Sequence, residues 1–122
     1  MKIDVTMMDK VGRALEQAGG IYTLDDIDLA LSTGNMQSHT ADGTWVITQV
    51  HDFPQKRAVD VLYVIGDLRG AYAVDKVVEK WAIGIGAELM TAMGRDGWVK
   101  RLGPGWRKTG TLYCKDLNHG RQ

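Results

Sequence analysis

The middle of the chain restricts the fold most, because a strand-like run, an amphipathic helix and a second apolar run follow one another there. Residues 57–65, RAVDVLYVI, are rich in β-branched side chains and become apolar on both faces, which is typical of a central strand. Residues 71–85 place apolar side chains on one helical stripe with charged side chains opposite. If the next apolar run, residues 87–93, returns beside the first strand, the three segments form a right-handed βαβ unit. We therefore predict a strand there, although its local propensity favours a helix.

Two helices are predicted ahead of this unit. Residues 8–18 repeat apolar side chains at intervals of three and four, and Gly19-Gly20 end the pattern. Thr23, followed three residues later by Asp26, resembles a capping box, which indicates a second, short helix that ends at Gly34.

The remaining segments predict strands and turns. Residues 35–40 and 44–50 are strand-like and are separated by the hairpin signal Ala41-Asp42-Gly43. Beyond the βαβ unit we expect a helical turn near residues 96–100 and a last strand over residues 108–117. The pattern predicts an α+β fold, also describable as mixed α/β, with a mostly antiparallel mixed sheet and helices on both faces.

Composition indicates one domain over residues 1–122. The chain has 122 residues, 44% hydrophobic and 25% charged, which are ordinary globular values for a single core. No run approaches the roughly 18 apolar residues of a membrane span, and the chain starts with acids where a signal peptide has its apolar region. The single cysteine cannot form an internal disulfide. We therefore expect a cytoplasmic protein.

The charge is polarised although the net charge is zero. Residues 1–45 carry seven acids and three bases, whereas residues 95–122 carry seven bases and two acids. A basic end can attract nucleic acid, phosphate or an acidic protein surface, but many small domains have such an asymmetry without any partner.

The order of elements resembles the GNAT acyltransferase fold. Three stretches resemble, more specifically, the small GNAT-like proteins of tailed phages: YTLDDIDLALSTG, TQVHDFPQKRAVDVLYVIG and AELMTAMGRDGWVKRLGPGWRKTGTLYCKDL. Within them, Thr48-Gln49-Val50 with Pro54-Gln55-Lys56-Arg57 precedes the central strand, and residues 94–98 look like the family's Gly-Arg-x-Gly-Trp turn. None of these pieces is a catalytic motif. The resemblance thus implies a fold and a phage origin rather than a chemistry.

The resemblance also implies where a cofactor would bind. Acetyltransferases of this fold hold the pyrophosphate of acetyl-CoA with backbone amides of an Arg/Gln-x-x-Gly-x-Gly/Ala loop at a helix start. Aligning Gly70 with the middle glycine places Asp67 at the basic position and Tyr72 at the small one, and both disfavour binding. We therefore expect no cofactor. A shifted loop would bind acetyl-CoA through four residues: Gly66, Arg69, Gly70 and Ala71.

Catalytic residues cannot be assigned from the sequence. A GNAT acyltransferase needs a group that deprotonates the amine and an acid that protonates the leaving thiolate. Asp60, Tyr72, Tyr113 and Cys114 have suitable chemistry, but tyrosines in helices and strands more often serve packing, and a cysteine among apolar residues more often behaves as a small hydrophobe. His39, His51 and His119 lack metal-ligand spacing, so we expect surface or turn positions and assign no metal.

The segment RDGWVKRLGPGWRK, residues 95–108, alternates aromatic and cationic side chains, as surfaces that stack bases or anchor protein partners do. The alternative is that its tryptophans cap the open end of the sheet. The candidate partner-binding residues are Arg95, Trp98, Lys100, Arg101, Trp106 and Arg107.

Three functions remain open. The favoured one is a non-enzymatic phage protein, a virion or head-assembly component that binds other phage proteins, is free in the host cytoplasm or incorporated in the virion, and could associate with itself. The alternative is an acyl-CoA-dependent N-acetyltransferase acting on a small amine, a protein lysine or a nucleobase. The least favoured is a nucleic-acid-binding accessory protein, because the net charge is neutral.

Overall fold

Three helices and four strands follow the predicted order in a computed structural model that describes residues 8–17, 20–66, 70–93, 104–110, 113, 115 and 117. They are α1 (Met8–Gln17), α2 (Leu24–Thr33), β1 (Gln37–Ala41), β2 (Thr44–Asp52), β3 (Arg57–Gly66), α3 (Ala71–Gly84) and β4 (Leu89–Ala92). The predicted turn at residues 96–100 lies outside the described residues. Residues 108–110 are not in a strand, and most of the remaining predicted last strand also lies outside them.

The four strands form one mixed sheet in the order β1-β2-β3-β4. β1 pairs with β2 and β2 with β3 in antiparallel fashion, whereas β3 and β4 are parallel. The predicted βαβ unit is therefore confirmed. Within the predicted run of residues 87–93, Leu89–Ala92 form the strand β4 despite their helical propensity. Pairing with the apolar β3 outweighs the weak local preference.

Helices cover both faces of the sheet, as predicted. α1 and α2 pack on one face, where the buried core residues are Val11, Leu15, Ile27, Met36, Trp45, Ile47 and Ile65. α3 packs on the other face, where the buried residues are Val46, Val59, Val74, Val78 and Ala82. Alternate residues of β2 and β3 thus serve two cores that share one sheet.

The capping box predicted at the start of α2 is present. The backbone N–H of Thr23 donates to Asp26 Oδ2 at 2.8 Å, and the backbone N–H of Asp26 donates to Thr23 Oγ1 at 3.2 Å. These bonds, led by the one from the Thr23 backbone, lower the pKa of the Asp26 carboxyl. Gly34 ends the helix with φ 81°, a left-handed conformation that suits glycine.

Candidate functional site

A β-bulge interrupts the pairing of the two central strands. Ile47 of β2 lies opposite Tyr63, but the next residue, Thr48, lies opposite Val61. Leu62 is therefore the extra residue on β3, and Leu62 and Tyr63 both pack against the core beneath α1 and α2. A bulge bends its strand and increases the local twist.

The last strand, β4, ends beside this bulge, and all four of its residues pair with β3. Pairing of β3 with β4 runs from Ala58↔Leu89 to Val61↔Ala92 and stops there. Within the described ranges, no strand pairs with residues 62–66 on that side of β3. We call residues 62–66 the open edge of β3, because their backbone N–H and C=O groups lack a ladder partner there.

Three polar side chains from three adjacent strands lie together two to four residues before the open edge. Thr91 Oγ1 on β4 donates a hydrogen bond of 2.9 Å to Asp60 Oδ1 on β3. His51 Nε2 on β2 lies 3.9 Å from Asp60 Oδ2, within ion-pair range but beyond hydrogen-bond range. The Asp60 side chain is 21% exposed and that of His51 is 42% exposed. We call Asp60, Thr91 and His51 the apex cluster.

Of the apex cluster, the sequence singled out only Asp60. His39 and His51 lie in strands β1 and β2 rather than in turns; the His51 side chain is 42% exposed, and His39 is half-buried. His51 faces Asp60 because Gln49 pairs with Asp60 and His51 is two residues further along the same face of β2. The polar residues Gln49 and His51, at alternate positions of β2, were the sequence signal for this cluster. The sequence alone did not give the pairing register of β2 with β3, which brings His51 to Asp60.

The two glycines that flank the candidate cofactor loop pack against the β1–β2 turn. Gly66 has φ 118°, and a Cβ there would overlap the carbonyl oxygen of Gly43. A Cβ at Gly70 would overlap Thr44 Oγ1 and lie 2.5 Å from the carbonyl oxygen of Asp42. Close packing of the sheet, the turn and the start of α3 is thus sufficient to explain both glycines.

The other candidate cofactor residues are only partly placed. Ala71 is buried in the first turn of α3, which begins at Gly70 without a side-chain cap. Arg69 lies outside the described residues. Tyr72 is exposed on α3 with Lys76 Nζ 5.6 Å from its ring centroid. Tyr72 is 50% exposed, so it is not one of the buried core residues that a tyrosine in a helix was expected to be.

One candidate partner-binding residue anchors its segment to α3. Trp106 is half-buried, and its Nε1–H donates to Asp75 Oδ1 at 3.0 Å. Burial raises the pKa of the Asp75 carboxyl, and the bond from Trp106 partly opposes this shift. Arg107 is exposed. The other four candidates, Arg95, Trp98, Lys100 and Arg101, lie outside the described residues, as does Cys114, whereas Tyr113 is exposed.

His39 lies on the opposite face of the sheet from the apex cluster. Its Nε2 is 3.1 Å from Thr48 Oγ1, which donates to Gln37 Oε1 at 3.0 Å, and its ring contacts Trp81. Burial lowers the pKa of the His39 imidazole. Within the described part of the chain, no three His, Cys, Asp or Glu side chains are placed to hold a metal ion, and no helix is long and apolar enough to cross a membrane.

Two of the solved structures that superpose on this chain are described as acetyltransferases. A probable acetyltransferase superposes with a TM-score of 0.65 at 12% identity, covering 94% of this chain and 97% of its own. An acetyltransferase of Trypanosoma brucei gives a TM-score of 0.65 at 12% identity, covering 94% and 96%. The chain has a GNAT-like fold. The BH1408 protein of Bacillus halodurans, a tetramutant, superposes with a TM-score of 0.60 at 12% identity, covering 94% and 97%.

Comparison of the sequence with family models and with curated proteins gives no match. At these identities the structural likeness establishes the GNAT-like fold alone, and the phage origin stays a prediction.

Proposed function

We propose that the protein is an acyl-CoA-dependent N-acyltransferase that acts on a cationic amine. One observation carries the proposal: β4 ends beside a bulge in β3, and a carboxylate held by a hydrogen bond lies next to that end. A carboxylate within a sheet is costly unless it is bonded or used. The sequence alone favoured a non-enzymatic role, on the resemblance to phage proteins and on the unfavourable loop after β3; it did not reveal the apex cluster.

The open edge fits the acyl-bearing arm of acyl-CoA. Residues 62–66 offer backbone N–H and C=O groups in strand geometry, and the amide groups of an extended arm can pair with them as an added strand would. The first-turn N–H groups of α3, together with Arg69 and Ala71, would hold the phosphates. When bound, acyl-CoA supplies the activated thioester carbonyl.

Asp60 would act on the acceptor. Its carboxylate attracts an ammonium group to the start of the open edge, and the Thr91 hydroxyl fixes its orientation. An amine attacks a carbonyl only after it loses its proton, so a proton acceptor must lie close to it. The apex cluster provides such acceptors on the face that α1 and α2 cover.

An acidic stretch of the chain favours a cationic acceptor. Residues 14–55 contain six acids and no Lys or Arg, and they include the end of α1 and all of α2, β1 and β2, the strand that carries His51. The acids are Glu16, Asp25, Asp26, Asp28, Asp42 and Asp52. A surface of one sign concentrates ligands of the opposite sign. We expect polyamines or lysine side chains to be better acceptors than neutral or anionic amines.

Calorimetric titration with acetyl-CoA and with free CoA, up to millimolar ligand, tests the proposal. We expect saturable binding and acetylation of cationic amines. Asp60→Asn should keep acetyl-CoA binding and lose about 10²-fold in turnover, whereas Asp9→Asn, at an exposed position of α1 outside the acidic stretch, should keep both. A folded sample that binds no acetyl-CoA at millimolar concentration would refute the proposal.

A non-enzymatic role is the second candidate, and the packing of Gly66 and Gly70 favours it. Since the β1–β2 turn already accounts for both glycines, they need not have been selected for phosphate approach. In this case the protein would be the virion or head-assembly component that the resemblance to phage proteins implies. Absence of acetyl-CoA binding in the calorimetric titration, together with co-sedimentation of the protein with phage heads, would favour the non-enzymatic role.

A further inference from the structure

Resting on the proposed acyl transfer, we infer that His51 takes the proton from the acceptor amine and that Asp60 is its positioning residue. Each oxygen of the Asp60 carboxylate has a polar neighbour. Oδ1 already accepts the Thr91 hydroxyl at 2.9 Å, and Oδ2 faces His51 Nε2 at 3.9 Å. The carboxylate is therefore engaged by Thr91 on one side and faces the imidazole on the other.

The two side chains differ in exposure. The Asp60 side chain is 21% exposed and that of His51 is 42% exposed, so the imidazole is the more accessible of the two to an amine that arrives from solvent. A carboxylate 3.9 Å from Nε2 favours the tautomer that carries its proton on Nε2, and Nδ1 is then the basic atom.

Of the described carboxylates, that of Asp60 faces His51. Asp60 approaches the imidazole from β3, whereas Asp52, the next residue after His51, is engaged by Arg57, whose Nε–H donates to Asp52 Oδ1 at 2.7 Å. The Phe53 ring, 6.0 Å from the imidazole between centroids, is uncharged. Asp60 is therefore placed to stabilise an imidazolium formed at His51.

An acceptor ammonium would first give one proton to His51 Nδ1. The neutral nitrogen then forms the new C–N bond with the thioester carbonyl carbon as the C–S bond breaks, and the electron pair of that bond leaves on the CoA sulfur. The nitrogen's second proton passes through solvent to the sulfur. Asp60 stabilises the resulting imidazolium without being protonated.

His51→Gln and His39→Gln form a matched pair of variants, because both histidines lie in neighbouring strands and only His51 faces Asp60. We expect His51→Gln to keep acetyl-CoA affinity, to lose about 10²-fold in kcat/KM for the amine, and to abolish the acidic limb of the pH–rate profile. His39→Gln should leave the affinity and the profile unchanged. A His51→Gln enzyme with the wild-type rate and pH profile would overturn the inference.

Nitrogen-15 NMR of the protein labelled at its histidine rings reports the tautomer of His51, and this measurement needs no acyl-CoA. We expect neutral His51 to carry its proton on Nε2 in the wild type and to lose this tautomer preference in Asp60→Ala. An unchanged tautomer would overturn the positioning role of Asp60. An inactive wild type would refute the proposed function, whereas an active wild type with a fully active His51→Gln would refute only the role of His51.

Discussion

At the scale of single residues, Gly66 and Gly70 show how one residue type can support two interpretations. The sequence places them beside a loop that resembles a phosphate-binding loop, and the structure places both against the β1–β2 turn. Glycine at Gly66 is required by its φ of 118° and by the turn carbonyl that a side chain would meet. Substitution of Gly70 by a large residue would therefore disturb packing before it could report on a cofactor.

We predict that Gly66→Ala and Gly70→Ala each lower the free energy of unfolding by about 1–3 kcal/mol, because their Cβ atoms would overlap the β1–β2 turn. Gly84→Ala is the control, since a Cβ there meets nothing within 4 Å and Gly84 lies in α3. It should be neutral or stabilise by up to about 1 kcal/mol. Urea unfolding of the three variants measures these differences, and equal effects at all three positions would contradict the packing explanation.

At the scale of elements, α3 connects the sheet to the segment that carries Trp106. The end of α3 is held by Arg57, whose Nη1–H donates to the carbonyl oxygen of Ile85 at 2.6 Å. Its middle holds Asp75, the acceptor of the Trp106 indole. The aromatic residue thus binds to the protein's own helix through its polar edge, which the alternation of aromatic and basic residues could not indicate.

We predict a pH-dependent contribution from Asp75. Burial raises the pKa of its carboxyl above the unfolded value of 3.8. Its stabilising contribution is therefore complete below that value and is lost as pH rises through the higher folded value. Asp75→Asn keeps an oxygen acceptor for Trp106 and removes the titration.

The difference in unfolding free energy between wild type and Asp75→Asn, measured in urea from pH 3 to pH 7, tests this prediction. The wild type should lose stability relative to the variant as pH rises. The comparison must be a difference, because Asp26, whose pKa is lowered, contributes with the opposite sign. A difference that stays constant over this range would show that Asp75 is not perturbed by folding.

At the scale of the whole molecule, one sheet serves two cores. Ile47 and Val46 are consecutive in β2, yet Ile47 packs with α1 and α2 and Val46 packs with α3. Neither core can lose its packing without loosening the strand that carries the other. This coupling predicts a single cooperative unfolding transition for the described elements.

We predict that Ile47→Ala, in the first core, lowers the unfolding free energy by about 2–5 kcal/mol. Val78→Ala, in the second, should lower it by roughly 2 kcal/mol. Both should shift the same transition. Val77→Ala is the control, because Val77 is 43% exposed and adjacent to Val78, and it should change stability by less than about 0.5 kcal/mol. Two separate transitions in calorimetry or urea would contradict the shared sheet.

Local patterns determined the elements of this protein. Helical periodicity, the Thr23 capping box, the hairpin signal at residues 41–43 and the apolar run of β3 each act within about ten residues, and the structure confirms all of them. One non-local argument was also needed: the expected βαβ connection between parallel strands predicted that β4 is a strand. Its parallel pairing with β3 confirms this prediction.

Only the tertiary structure decided the candidate site. Thr91 meets Asp60 across a separation of 31 residues, and His51 meets it because one extra residue, Leu62, sets the bulge. Register changes by whole residues and moves side chains from one face of a sheet to the other, so composition cannot fix it. The packing of Gly66 and Gly70 could not be predicted from the sequence either, because their close contact with the β1–β2 turn exists only after β2 and β3 have paired.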